Sequence, residues 1–246
     1  MIDITTNLGA QSYCFRHFTD NLKVIELLNE CGLKQIELCG VHADFADVSS
    51  FDGVIETYQN SGVEIVAIGV QGFAGDAERE EKYFEFAKRA GCRFISADFD
   101  IAVAPEAFAV AEALADKYDI NLAIHNHGGR HWLGNAQTLE NIFKNTGKRI
   151  GLCLDTAWAL DAREDPIAMI EQFGNRLYGL HIKDFVFDRD GAPEDVVVGS
   201  GNLDLTKMLS ALKSVNFDGY AVLEYEGDVE NPVPALQKCV KAVRVA

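Results

Sequence analysis

Eight short apolar runs recur along the chain, each followed by a polar tip and an amphipathic segment. They fall at Leu8–Phe15, Gln35–Cys39, Glu64–Val70, Phe94–Phe99, Asn121–Asn126, Ile150–Asp155, Leu177–Ile182 and Tyr220–Tyr225. Their Ile, Val, Leu and Phe content and their Gly, Asn or charged borders predict strands. Helical signals fill the gaps. Asp20 can cap a segment in which Leu22, Ile25, Leu28 and Cys31 recur at three-residue steps before Gly32. Ala77–Ala90 opens acidic (Glu78, Glu80, Glu81) and closes basic (Lys88, Arg89), as the helix dipole favours. Pro105 opens Glu106–Tyr118, Pro166 opens Ile167–Phe173, and Asp204 can cap Leu205–Val215. Helices near Phe51–Ser61, Ala136–Asn145 and Pro232–Val243 complete the alternation. No Pro-, Gly- or Ser-rich linker interrupts it. The pattern predicts one α/β domain over residues 1–246, a single (β/α)8 barrel. The rival, a doubly wound open sheet, lacks a GxGxxG turn after its first strand.

Composition narrows the function classes. With 48% hydrophobic and 24% charged residues the chain is ordinary globular material. Lys and Arg number 22 against 38 Asp and Glu, a formal net charge of −16. Such a surface repels phosphate backbones and anionic lipid, so neither a nucleic acid nor a membrane is an expected partner. No run approaches the ~18 consecutive apolar residues of a membrane span, and the N-terminal stretch lacks the basic and apolar regions of a secretory leader. Cys14, Cys31, Cys39, Cys92, Cys153 and Cys239 lie scattered without a CxxC pair, which predicts reduced core thiols and a cytoplasmic location.

Barrel chemistry sits at the C-terminal ends of the strands, and there the dry runs are broken by ionisable residues. The segments are Leu122-Ala-Ile-His125-Asn126-His127, Gly151-Leu-Cys-Leu-Asp155, Leu177-Tyr-Gly-Leu-His181-Ile-Lys183 and Val222-Leu-Glu224-Tyr-Glu226. Parallel barrel strands are nearly all apolar, so an imidazole or carboxylate there must be paired, metal-bound or near solvent. A lone histidine at a strand end is more often merely hydrogen-bonded. Four coincident positions on strands 5 to 8 point instead to one divalent-metal site of His125, Asp155, His181 and Glu224. The nitrogen and oxygen donors suit Mn²⁺, Zn²⁺, Co²⁺ or Fe²⁺.

The same residues resemble the xylose-isomerase-like TIM-barrel superfamily, the sugar phosphate isomerase/epimerase family with its inosose-dehydratase-like relatives. The resemblance runs over nearly the whole chain, through Gly9-Ala-Gln11-Ser-Tyr13, Ile36-Glu37-Leu38, the His125-Asn126-His127-Gly128 segment, Asp155-Thr-Ala-Trp158, His181-Ile-Lys183-Asp184, Gly199-Ser-Gly201-Asn-Leu-Asp204 and Leu223-Glu224. It implies a metal held by strands 5 to 8. Two positions depart from the pattern. His125 stands where relatives usually carry a glutamate, and Trp158 replaces the histidine of an Asp-x-x-His. In epimerases of the group the strand-5 and strand-8 glutamates act as paired bases on opposite substrate faces; here that pair becomes imidazole and carboxylate. Endonuclease IV, another relative, uses a larger metal cluster and a basic surface, which the acidic charge and the ligand count argue against.

The leading expectation is a divalent-metal-dependent sugar isomerase or epimerase working through an enediolate. A lyase or dehydratase on a cyclitol or oxidised sugar is the rival, and a sugar-binding barrel without catalysis the non-enzyme alternative. Glu224 is ligand and candidate base; Glu226, two residues on, is a second acid–base group. Lys183 is the candidate electrophile, or else pairs with Asp184. His127, Trp158, Glu37, Trp132 and Arg130 are candidate substrate contacts: His127 binds substrate hydroxyls or orients its neighbour, Glu37 reaches the pocket from the opposite wall or makes a helix-facing salt bridge, each tryptophan stacks on a sugar ring or serves as a packed loop anchor, and Arg130 meets an anionic group. Asn126 should point towards the helices, unless the strand has already ended there. Gly199–Asn202, ahead of a helix, could cradle a phosphate, although the net charge disfavours polyanions. The expected partner is a small sugar; a homo-oligomer is compatible with the resemblance, and no segment marks an interface.

Overall fold

The computed structural model describes residues 3–5 and 7–246; Met1, Ile2 and Thr6, part of the stretch read above for a leader, lie outside them. Among the described residues eight parallel strands close into a barrel. These are β1 (Leu8–Gln11), β2 (Gln35–Leu38), β3 (Glu64–Phe73), β4 (Phe94–Phe99), β5 (Asn121–His125), β6 (Ile150–Asp155), β7 (Leu177–Ile182) and β10 (Tyr220–Leu223). Between β7 and β10 lies an antiparallel hairpin, β8 (Asp184–Phe187) and β9 (Pro193–Val196). The ring is sealed where β1 pairs with β10, Gly9 opposite Val222.

Helices pack outside the strands at α1 (Asn21–Glu30), α2 (Phe51–Asn60), α3 (Ala77–Ala90), α4 (Ala104–Tyr118), α5 (Ala136–Asn145), α6 (Thr156–Asp161), α7 (Pro166–Phe173), α8 (Leu205–Ser214) and α9 (Val233–Val245). Capping follows the signals in the sequence. Asp20, Asp76, Asn135, Asp165 and Asp204 each accept a hydrogen bond from a first-turn N–H. The main core joins helices to the outer strand faces. A smaller cluster of Ala67, Phe94, Ala123 and Cys153 packs apart from it. That cluster explains Gly179, where a Cβ would lie 2.6 Å from the Phe94 ring and 2.9 Å from Cys153 Sγ. All six cysteines are buried and unpaired. No described helix is long and apolar enough to cross a membrane.

Strand boundaries shift most at three places. The first strand stops at Gln11, whose side chain accepts from the Tyr13 N–H and turns Ser12–Phe15 into a 3₁₀ turn. The third runs on to Phe73, and the last stops at Leu223, which leaves Glu224 on the rim. Helix α6 and the hairpin were not anticipated. The hairpin also accounts for the glycine-rich segment that follows it. Asp184 Oδ2 accepts from the Gly199 and Gly201 N–H groups at 2.9 and 2.8 Å, and Oδ1 from Leu203 N–H at 2.9 Å. The backbone donors that could have cradled a phosphate are therefore taken by an internal carboxylate. Lys183 and Asp184 do not pair.

Replacing Asp184 with alanine removes a charged acceptor from three backbone donors. We expect Asp184→Ala to lower unfolding free energy by about 2–4 kcal/mol in urea denaturation; a loss under ~0.5 kcal/mol would show that the segment finds other partners.

Candidate metal centre

Alternation along β5, β6 and β7 turns His125, Asp155 and His181 inward at the C-terminal rim, where register sets Asp155 opposite His181. Glu224 joins them one residue past β10, held by its N–H to Ile182 O at 3.2 Å. Ligand atoms of these four residues lie within 4.8 Å of one another, and all four residues are buried. His125 Nε2 is 3.1 Å from His181 Nδ1, 3.7 Å from Asp155 Oδ2 and 3.9 Å from Glu224 Oε2. His181 Nδ1 is 2.9 Å from Glu224 Oε2. The four residues singled out in the sequence do converge.

The backbone explains how they are held. Asp155 caps α6 by accepting from Trp158 N–H at 2.8 Å through Oδ1, which leaves Oδ2 buried without a hydrogen-bond partner. Asn126 turns sideways onto β6, donating to Asp155 O at 3.0 Å and accepting from Asp155 N–H at 2.8 Å. It points neither into the cavity nor towards the helices, and it fixes the strand that carries Asp155. An orphaned carboxylate oxygen facing ring nitrogens fits a divalent cation of the nitrogen- and oxygen-preferring kind.

Without an ion the four groups divide in protonation. Burial, and then the positive field of His181, pushes the His125 imidazole down to about 3, so it stays neutral and able to ligate. Burial raises the Asp155 carboxyl to about 7, with Lys183 opposing the rise. For His181 burial lowers the pKa, yet nearby Cys153, Glu37 and Glu224 outweigh it and hold the ring well above the usual range. Glu224 is raised by burial but driven well below its ordinary value by Lys183 and His181.

Above the four lies a cavity of about 400 Å³ lined in part by Gln11, Tyr13, Cys39, His127, Trp158 and Glu226. Of the expected substrate contacts it contains His127 and Trp158. Arg130 and Trp132 line a neighbouring, more open groove instead, with Asp98 and Phe99. Glu37 lines neither; it is fully buried, with Oε2 2.8 Å from His181 Nε2. Lys183 is 1% exposed, pairs with Glu226 at short range and stands 3.7 Å from Asp195 Oδ2 on the hairpin. Its ammonium also lies 5.1 Å from the centre of the Trp158 ring. Burial lowers its pKa, but Glu224, Asp155, Glu226 and Asp195 raise it above the ordinary amine range. Asp195 and the Gln11–Tyr13 turn were missed as site elements; Gln11 and Tyr13 stood in the opening motif, whereas Pro193-Glu-Asp-Val carries no apolar alternation to announce a strand.

A family model for the xylose isomerase-like TIM barrel matches residues 25–244. The chain belongs to that family. Inosose dehydratase from Clostridium beijerinckii is 25% identical over 153 residues, which cover 53% of this chain and 49% of that protein. The matched stretch thus spans about half the length of that curated relative. Among solved structures, 3-keto-D-glucoside 4-epimerase from E. coli superposes with a TM-score of 0.76 at 17% identity, covering 98% of this chain and 100% of that one. The IolI protein with a bound zinc atom gives 0.73 at 19% identity, covering 97% and 98%. At such identities the superpositions establish the fold. Relatives of this kind are enzymes, with isomerase, epimerase and dehydratase among them.

Two outcomes are expected of the centre. Asp155→Asn keeps an oxygen for the α6 cap while removing the charge, so the content of Zn²⁺ or Co²⁺ after loading should collapse with an unchanged circular dichroism spectrum. Unchanged stoichiometry would remove Asp155 from the site. Ion uptake also requires His181 and Asp155 unprotonated, and both pKa values are raised. Affinity should therefore rise as pH passes through about 7, where Asp155 loses its proton, and go on rising above it as His181 does, with protons released to buffer, measured by titration calorimetry in two buffers of different ionisation heat. A flat profile would show that these groups are not ligands.

Proposed function

We propose that the protein is a divalent-metal-dependent isomerase or epimerase acting on a monosaccharide or sugar derivative through an enediolate. The observation that carries this reading is the convergence of His125, Asp155, His181 and Glu224 around an unpartnered Asp155 oxygen, beneath a cavity in the size range of small-molecule sites. The zinc-bound IolI neighbour supports a metal there. A divalent ion held by these donors would polarise a carbonyl and acidify the adjacent C–H.

The chain's own groups then divide the proton work. A carboxylate binding an ion through one oxygen would keep the other free, so Glu224 takes the proton from one carbon and returns it to the neighbouring carbon. Glu226, on the cavity wall, delivers or receives the proton at oxygen, and Lys183 behind it steadies the charge. His127, with its ring centre 4.8 Å from that of His125 and Nδ1 buried without a partner, is placed to meet a substrate hydroxyl. Burial, and then His125, lowers His127 to about 4, so it acts as a neutral ring.

One observation favours a second reading, dehydration. Glu224 and Glu226 both come from the end of β10, and His125 replaces the carboxylate expected on the opposite wall. Loss of a proton and of a β-hydroxyl on one face suits that layout, and inosose dehydratases are among the relatives.

Incubation with ketohexoses and an inosose in D₂O, after loading with Mn²⁺, Co²⁺ or Zn²⁺, separates the two. Isomerisation or epimerisation gives a deuterated product of undiminished atom count; dehydration gives a product lighter by one water. Neither change with any loaded ion would sink both readings. Glu224→Gln at saturating ion should cut turnover by roughly 10²–10⁴-fold with a much smaller change in substrate affinity.

A further inference from the structure

We infer that Glu37 is a positioning residue for the metal centre: across the barrel it holds the His181 ring so that Nδ1 faces the other three ligands. The inference rests on the divalent-metal reading above. Glu37 sits in β2 and His181 in β7, with β1 and β10 between them in the ring, so the contact spans the barrel interior. The Oε2–Nε2 distance is 2.8 Å, and both residues are 0% exposed.

A carboxylate only accepts, so the Nε2 hydrogen must point at Glu37. In the neutral ring that hydrogen leaves a lone pair on Nδ1, 3.1 Å from His125 Nε2 and 2.9 Å from Glu224 Oε2. Metal-ligating imidazoles are commonly oriented by a carboxylate in this way, which fixes the tautomer and raises ligand basicity. The neighbourhood is shaped to admit the acid. A Cβ on Gly69 would lie 2.6 Å from Glu37 Oε1 and 2.4 Å from Ser96 Cβ, so the glycine in β3 keeps that space clear. Packing alone does not account for the acid, because Glu37 Oε1 is buried without a hydrogen-bond partner, a costly state for a carboxylate. A substrate contact does not account for it either, since Glu37 is absent from the cavity wall. The other imidazole lacks such support: His125 Nδ1 is buried and unpartnered.

The test uses the full-length protein, Co²⁺ as the probe, and NMR of the His181 ring nitrogens. The wild type should show a slowly exchanging, hydrogen-bonded Nε2 proton and a visible Co²⁺ absorption band. In Glu37→Ala the proton signal should be lost and Co²⁺ affinity should fall about 10–100-fold, with an altered Co²⁺ band. The isosteric Glu37→Gln decides the matter if the alanine variant does not fold. It should give an intermediate affinity loss and a shifted ring-proton signal. Affinity and ring signal matching the wild type in either folded variant overturn the assignment. If the wild type itself takes up no Co²⁺, the metal reading fails, while the ring proton still reports on the Glu37 bond; a signal indifferent to Glu37 overturns it.

Discussion

Three carboxylates, Glu37, Asp155 and Glu224, lie buried at one end of a closed barrel, and their charge has to be met from inside the protein. An unpaired buried charge is among the costliest features a fold can carry. Lys183 answers part of the demand, and the His181 ring, set between Glu37 and Glu224, answers another part. His125 contributes none, because burial keeps it neutral. What remains is Oδ2 of Asp155, buried without a hydrogen-bond partner, which a divalent ion would satisfy. Much of the surrounding architecture serves this arrangement. Asn126 pins β6 at Asp155, the α6 cap occupies the other Asp155 oxygen, and Gly69 clears room for Glu37.

The hairpin between β7 and β10 is the part of the chain that closes over this charge. It is tied at both strands by a carboxylate used as an internal anion. Asp184 gathers three backbone N–H groups from residues 199–203, and Asp195 accepts from Glu226 N–H at 3.1 Å. Phe185 sets its ring 5.0 Å from that of Trp158, and its centre is 5.5 Å from the Lys183 ammonium. Lys183 is thus flanked by aromatic faces and acids and shut off from water, where its charge acts at longer range than it would on the surface. Such loops on a rigid strand frame are where a barrel family varies its chemistry.

The fold and the four candidate ligands were legible because parallel strands tolerate so few polar residues. An imidazole at 125 or 181, or an acid at 155 or 224, stands out against Ile, Leu and Val, and period-two alternation tells which way it faces. Glu37 stood out equally, but the sequence could not give its depth. A single acid on the second strand reads alike whether it lines a wall or crosses the interior, and Gly69 and His181, distant in sequence, decide between them. Gly199–Asn202 shows the same limit. Backbone donors ahead of a helix are visible in the sequence; the anion that fills them, Asp184, is set by a hairpin whose second strand, with Pro193 and two acids, gives no strand signal. Arg130 and Trp132 follow a ligand-bearing strand and so read as cavity residues, yet the loop carries Trp132 over β4, where its indole N–H donates to Phe99 O at 3.0 Å.

His125 is where this chain departs most from the pattern it resembles, and the departure has a physical consequence. A glutamate there would add a fourth buried carboxylate and a base on the wall facing Glu224. With a neutral imidazole there instead, these residues would offer an ion two carboxylates and leave a larger share of its charge unneutralised, so that it would supply stronger Lewis-acid chemistry towards a carbonyl. The acid–base groups that remain, Glu224 and Glu226, both rise from the end of β10, with Lys183 beside Glu226. On the proposed reading, proton removal and return are then confined to one face of the substrate. That confinement favours moving a proton between neighbouring carbons, or expelling a hydroxyl on the same side, over inverting a single centre by paired bases.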